Sequence, residues 1–353
     1  MNYDIIHFEA LGPEAQHLEE EIAQASARGD LPADHSYLIT PLTVQDWLTQ
    51  QSDATLPAIV SIKTHSRLPA EFFEGAKKSI LTRSAGYDHL EHLADRVNIA
   101  SLREYCVKAV AQTATKFLYA TAGELNHYTT NTLTFERKQA RAFMELDEQR
   151  VVTVFGVGKI GKAIYDLAAA NGLQVQGVDI RADELSRQYG GAVNFVSKEE
   201  AIRNSDILIN AMNLTRNPAS RFYNVGYFAK DYLLQAPRNL IFINITRGEI
   251  APESVLLDLY SAQKIIGLGL DVFTSEAQFA ELLKTGEGTE DDLLAARELV
   301  RMSLERTGNV YVQPHQGFNS DVAALTKAVE AIKHVIVWYR NAGKCFDEQL
   351  PYY

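Results

Sequence analysis

Residues 151–168 read VVTVFGVGKIGKAIYDLA, and this stretch decides the fold. An apolar run, VVTVFGV (151–157), passes into Gly156, Gly158 and Gly161 in G-x-G-x-x-G spacing, and an amphipathic segment follows. The next apolar run, VQGVDI (175–180), carries Asp179 near its end, 18 residues past Gly161. Strand, glycine loop, helix and acidic residue in that order form the full context of a dinucleotide-binding βαβ unit. Gly156 permits the tight turn, Gly158 lets a pyrophosphate approach the backbone, and Gly161 lets the helix pack on the strand. The helix N-terminus offers unpaired N–H groups and a partial positive charge to phosphates. Asp179 suits the two ribose hydroxyls and repels a 2′-phosphate, which favours NAD over NADP; Arg181, two residues on, weakens that preference. A glycine turn with no ligand is the bland alternative, and four residues in context outweigh it.

Working outward, the alternation continues. DILINAM (206–212), LIFINIT (240–246), IIGLGLDVF (265–273) and NVYVQP (309–314) are further strand candidates. An earlier series precedes them: YDIIHF (3–8), SYLIT (36–40), AIVSI (58–62), SILTRS (79–84) and VNIAS (97–101), with helical stretches at 14–27 and around TVQDWLTQQ and LPAEFFEGA. Short apolar runs separated by helices predict parallel sheets covered on both faces. Residues 105–123 predict a long helix, 126–148 a polar connector with helical parts, and 320–340 a last helix with helical apolar spacing. The fold class is therefore α/β, with two doubly wound parallel-sheet domains. We expect a discontinuous first domain, 1–104 with 320–353, and a dinucleotide-binding domain over 105–319.

Bulk properties agree. The 353 residues suit two domains. The net charge of −11 disfavours a nucleic-acid partner, and no stretch reaches 18 apolar residues, so neither a membrane span nor a signal peptide is expected. Two distant cysteines, Cys106 and Cys345, point to a reducing, cytoplasmic setting. His89 and His92 stand three apart with no third ligand nearby, so no metal is expected.

Three successive strand ends carry chemistry. Arg247 follows LIFINIT, Asp271 and Glu276 follow the next strand, and His315 sits in VQPHQGFN (312–319) after the last. In open parallel sheets, ligands bind beyond the carboxyl ends of strands. A guanidinium binds a carboxylate through two parallel hydrogen bonds and polarises an adjacent carbonyl. An imidazole exchanges the proton that accompanies hydride transfer at a carbinol. A carboxylate on its other nitrogen fixes the tautomer and favours the protonated ring. Asp271, nearer the sheet, would bond either a nicotinamide carboxamide or structural backbone. Singly, each is more often a packing or surface residue; together, beside a dinucleotide loop, they favour function. The expected cofactor contacts are Gly156, Gly158, Lys159, Ile160, Gly161, Asp179, Asn213, Thr246 and Asp271.

These motifs resemble the D-isomer-specific 2-hydroxyacid dehydrogenases along nearly the whole chain: TRSAGYDHLE, FGVGKIGKAIYDLA, NLTRNPASRFYN, INITRGEIAPESVLL, KIIGLGLDVFTSE and VQPHQGFN. The resemblance implies a flavodoxin-like substrate domain, a Rossmann domain holding NAD, a cleft between them and a homodimer. It implies Arg247, Glu276 and His315 as the catalytic trio. It also implies a backbone anion loop at Ser84, Ala85 and Gly86, a pocket tyrosine at Tyr105, and a pocket phenylalanine at Phe318 like that of the D-lactate dehydrogenase branch.

Several positions depart from the family: Gln112 and Thr113 replace Glu-His, Asn213 a common proline, and Gln313 a common threonine. The 39 residues from Glu276 to His315 are longer than usual, and DDLLAARELVRMSLER among them reads as an extra amphipathic helix. Ala85 stands where phosphite dehydrogenases carry lysine. Gln313 invites comparison with formate dehydrogenases, but Glu276 fits the acidic partner of His315 better.

Lys63, His65 and Arg67 follow the third strand, with Arg83 and Arg103 after later ones. They raise a narrower expectation, a substrate with a second anionic group such as a dicarboxylic or phosphonate-bearing 2-keto acid; solvated loop cations are the plainer reading. The expected activity is NAD-dependent interconversion of a 2-keto acid and a D-2-hydroxy acid. The rival is a non-catalytic NAD-sensing scaffold or corepressor of the same fold.

Overall fold

The computed structural model describes residues 3–51, 54–135, 137–138 and 141–352. The chain divides into two compact units: Met1–Cys106 with Asn319–Tyr353, and Val107–Phe318.

In the first unit, β1 (Ile5–His7), β2 (Tyr37–Ile39), β3 (Ile59–Ile62), β4 (Ser79–Thr82) and β5 (Asn98–Ser101) form one parallel sheet in the order β2-β1-β3-β4-β5. Consecutive residues of a strand face opposite sides, so Ile5 and Ile6 serve different cores. Ile5 and Leu81 meet Leu18 and Ile22 of the helix Pro13–Ala27 and Ile332, Val335 and Trp338 of the helix Ala323–Arg340. Ile6, Val60 and Ile80 meet Phe8, Trp47 and Phe72 on the other face. The segment LPAEFFEGA, expected to be helical, forms only a 3-10 turn over Ala70–Phe73. Proline precedes that turn and Gly75 follows it at φ +77°, which leaves no room for a second turn.

The second unit has β6 (Val151–Phe155), β7 (Gln174–Val178), β8 (Ile207–Asn210), β9 (Leu240–Asn244), β10 (Ile265–Leu270) and β11 (Val310–Val312). All pair in parallel, in the order β11-β10-β9-β8-β6-β7. The order reverses between β6 and β8, the switch point beside which doubly wound sheets bind ligands. The expected extra helix is present as Asp291–Glu305 and buries Leu293, Ala296 and Leu299. Of the connector 126–148, the helix Leu125–Asn131 is formed, while Glu136, Gln139 and Ala140 lie outside the described residues. Among the described residues no helix is long and apolar enough to cross a membrane.

The first sheet conceals a charged cluster. Arg83 is fully buried; its Nε donates to Glu14 Oε1 at 2.8 Å, its Nη1 to Ser61, and its Nη2 to the Phe8 carbonyl. Lys63 pairs with the second oxygen of Glu14 at 2.5 Å. Arg83 is therefore an interior structural cation, which corrects its reading as a strand-end charge open to ligand. Beside it His7 is completely buried and neither ring nitrogen has a partner. Burial holds its pKa well below the ordinary 6.5, and the nearby Arg83 and His35 push the same way. The unfolded chain therefore takes up a proton at a pH where the folded chain refuses one, so this stability is full above about 6.5 and is lost as pH falls towards the depressed folded value. We expect the melting temperature of the wild-type chain to fall below pH 6.5 more steeply than that of H7F, the underlying stability difference changing by at most about 1.4 kcal/mol per pH unit. Parallel pH–melting curves of the two proteins check it.

Candidate active site

The glycine loop lies where β6 meets the helix Lys159–Ala170. Gly156 has φ +82°, and a Cβ there would stand 2.8 Å from the Met212 backbone. A Cβ on Gly161 would fall 1.9 Å from the Gly156 carbonyl oxygen, so the helix can enter against the loop only with glycine. Gly158 caps the helix with no side-chain hydrogen bond, and nothing lies within 4 Å of where its Cβ would be. Uncapped N–H groups around an open glycine are the donor set that a pyrophosphate needs. Asp179 braces this loop: Oδ2 accepts from the Val157 amide at 2.8 Å and Oδ1 from the Arg181 amide at 2.9 Å. Each oxygen keeps a second lone pair for a hydroxyl. The residues present thus fit a bound dinucleotide. Lys159 and Ile160 form the helix start; Asn213 is exposed, and Thr246 Oγ1 accepts from Asn210 Nδ2 at 2.9 Å.

Within the same unit, β10 and β11 bring two members of the charged trio into contact. His315 Nδ1 and Glu276 Oε2 lie 2.8 Å apart. Both are half-buried, and both follow or occupy left-handed backbone: Ser275 at φ +48° and His315 itself at φ +50°. Such conformations in non-glycine residues cost about 1–3 kcal/mol and need support from their surroundings. Asp271 provides it for His315. Its carbonyl accepts the His315 amide at 2.6 Å, and its buried carboxylate accepts Gln313 Nε2 at 2.6 Å, the Gln316 amide at 2.8 Å and the Gly317 amide at 2.9 Å. Burial raises the Asp271 carboxyl, and these donors oppose the rise. Of the two uses expected for Asp271, the structure displays the backbone one.

Gln313 is also accounted for. Its amide bridges Asp271 and Lys116 rather than His315, so the histidine's polar partner is Glu276. Phe318 presents its ring edge-on to His315 at a centroid distance of 6.3 Å. Arg247 directly follows the β9 turn, half-buried, with Nη1 donating to the Thr246 carbonyl at 2.8 Å.

In the first unit, Ser84, Ala85 and Gly86 form a half-buried loop after β4. Tyr105 carries the Lys327 ammonium over its ring at 4.9 Å, and burial raises its hydroxyl well above the usual range. The loop cations are largely engaged: Lys63 by Glu14, His65 beside Glu9 at 3.3 Å, and Arg103 over the Tyr352 ring at 4.2 Å. Cys106 is buried and its thiol is pushed up to about 12, again by burial, which fits a packing role. Sequence reading missed Gly317, where a Cβ would lie 2.5 Å from Asp271 Oδ2, and the buried Glu253. The glycine two residues past a strand-end histidine was the available signal for the first; a helix-start glutamate gave none for the second.

Comparison with known proteins matches this geometry to a class. Residues 116–317 match the family described as D-isomer specific 2-hydroxyacid dehydrogenase, NAD binding domain. A D-lactate dehydrogenase of Curvularia clavata is 23% identical over 289 residues, 77% of this chain and 74% of its own. The human glyoxylate reductase/hydroxypyruvate reductase is 31% identical over 131 residues, 36% of this chain and 37% of its own. A D-lactate dehydrogenase structure from Aquifex aeolicus, complexed with NAD and lactic acid, superimposes with TM-score 0.72 at 19% identity, covering 96% of each chain. At that identity the superposition establishes the fold. The class is that of NAD-dependent oxidoreductases. The chain belongs to the D-isomer-specific 2-hydroxyacid dehydrogenase family.

Removing the Asp271 carboxylate tests the His315 turn. D271A leaves the buried Gly317 amide and its neighbours without an acceptor, at a cost of about 3 kcal/mol. Urea unfolding should show that loss while D271N, which retains one acceptor oxygen, loses less.

Proposed function

We propose that the protein interconverts a 2-keto acid and a D-2-hydroxy acid, with His315 as acid and base. The observation that carries this reading is the His315–Glu276 contact of 2.8 Å beneath the dinucleotide-type sheet end. Glu276 accepts a hydrogen bond from Nδ1–H, which leaves Nε2 as the nitrogen for a reacting oxygen. In reduction, His315 Nε2 gives a proton to the carbonyl oxygen as it becomes a hydroxyl; in oxidation it takes that proton back. The negative charge of Glu276 stabilises the imidazolium in the donor state. Arg247 receives the substrate carboxylate and polarises the adjacent carbonyl. When bound, NAD supplies or accepts the hydride. The names of relatives are consistent with small 2-keto acids: one matched protein, from Aspergillus oryzae, is a 4-methyl-2-oxopentanoate reductase.

NADH consumption should be measured with pyruvate, glyoxylate, hydroxypyruvate and 4-methyl-2-oxopentanoate. At least one should be turned over. H315Q should lower kcat by about 10²–10⁴-fold with NADH binding retained. R247K should not rescue R247A, because a point ammonium cannot make the two parallel bonds. Silence of the wild-type chain across the panel, with NADH bound, would turn the reading towards a non-catalytic NAD sensor.

A further inference from the structure

We propose that Glu253 is a positioning residue: from beneath the two loops that carry Arg247 and Glu276, it sets the spacing of those loops. The inference rests on the catalytic reading above and adds a residue to it. Glu253 opens the helix Glu253–Ser261 and is 1% exposed. Its Oε1 accepts the Thr274 amide at 2.9 Å, two residues before Glu276. The same oxygen lies 2.6 Å from where a Cβ on Gly248 would stand, and Gly248 directly follows Arg247. That Cβ position is also 2.0 Å from the Thr274 nitrogen and 2.2 Å from the Phe273 carbonyl carbon. Three segments of chain therefore meet at one carboxyl group, and glycine alone fits between them. Glu276 takes part in the same loop, with Oε1 3.4 Å from the Phe273 amide.

Among the described residues the second oxygen of Glu253 is buried without a hydrogen-bond partner. An ionised carboxylate with one bare oxygen in a dry interior favours proton uptake. Burial raises this carboxyl to about 7, its bonds with Thr274 oppose the rise, and Asp292 on the helix Asp291–Glu305 adds to it. The packed segments also carry Arg247, Glu249, whose Oε1 accepts from Arg216 at 2.6 Å, Glu276, Asp258 on the same helix, and Asp291, Arg297, Glu298, Arg301 and Glu305 on the helix Asp291–Glu305. Below neutrality the contact is a neutral acid. Above it the Thr274 amide is drawn to an anion that also faces Asp292 and carries a bare oxygen, which shifts the spacing of the two catalytic loops. The raised folded value also means that the stability tied to this proton is full at low pH and lost as pH rises through about 7.

The test compares wild type, E253Q and E253A. Glutamine keeps an acceptor oxygen and cannot ionise. E253A should lose about tenfold in kcat with KM and NADH binding little changed, the size expected when a reacting group is misplaced by less than an ångström. E253Q should recover most of that loss. In the wild type an alkaline limb near pH 7 should lower kcat in both reaction directions, and E253Q should lack it; loss of a group that acts as acid in one direction and base in the other would instead give limbs of opposite sense. By NMR, the Thr274 and Glu276 amides should titrate together near pH 7 in wild type and not in E253Q. Flat amide shifts near pH 7, or a pH profile unaltered by E253Q, would overturn the proposal. If no 2-keto acid is turned over while both amides titrate, the substrate reading fails and the coupling of Glu253 to the Glu276 loop stands on the amides alone.

Discussion

The site depends on one buried carboxylate, that of Asp271. A parallel sheet delivers its strand ends to one edge but does not aim the side chains that follow. After β11 the chain must turn sharply enough to bring His315 onto Glu276, and it does so by placing a histidine at φ +50°. Nothing in the histidine itself favours that conformation. Asp271 supplies one backbone acceptor and a carboxylate with donors from Gln313, Gln316 and Gly317. Each charge-assisted bond contributes about 1.5–3 kcal/mol, against a left-handed residue that costs about 1–3. The turn is held because several bonds oppose one strained residue.

Burial decides how the second unit uses its carboxylates. Glu276 is half-exposed and meets the imidazole directly. Asp271 is buried but saturated with donors, so its charge serves the backbone. Glu253 is buried with one oxygen lacking a partner among the described residues, and burial raises its carboxyl to about 7. Similar side chains thus take three roles, and the difference lies in what each oxygen touches.

The sheets were legible because parallel strands are covered on both faces and read as unbroken apolar runs. Among the described residues all eleven strands fall within the runs at 3–8 through 309–314, apart from Gln174, one residue before its run. The glycine loop was legible for a stricter reason: a Cβ at Gly156 or Gly161 would strike backbone. Burial of charge was not legible. Arg83 and Glu14 stand 69 residues apart, and no local pattern announces that they meet inside the first sheet. Glu253 opens a helix, where an acidic residue is ordinary for dipole reasons, and its burial arises from Gly248 and Thr274. The 3-10 turn at Ala70–Phe73 failed as a helix because turn chemistry on both sides outweighed its apolar spacing.

These placements bear on how an acidic chain receives anions. A net charge of −11 repels an anionic dinucleotide at long range, so attraction must be local. In the first unit Glu14 already engages Lys63 and Arg83, and these cations are committed to the fold. In the second unit the helix start at Lys159 has no side-chain cap, and Arg247 stands at a strand end. Fixed N–H dipoles at a helix start recognise phosphate by direction as well as charge. The acidic surface then disfavours anions that lack that geometry. The same reasoning applies to His315, whose polar partner is the Glu276 carboxylate at 2.8 Å rather than a cation.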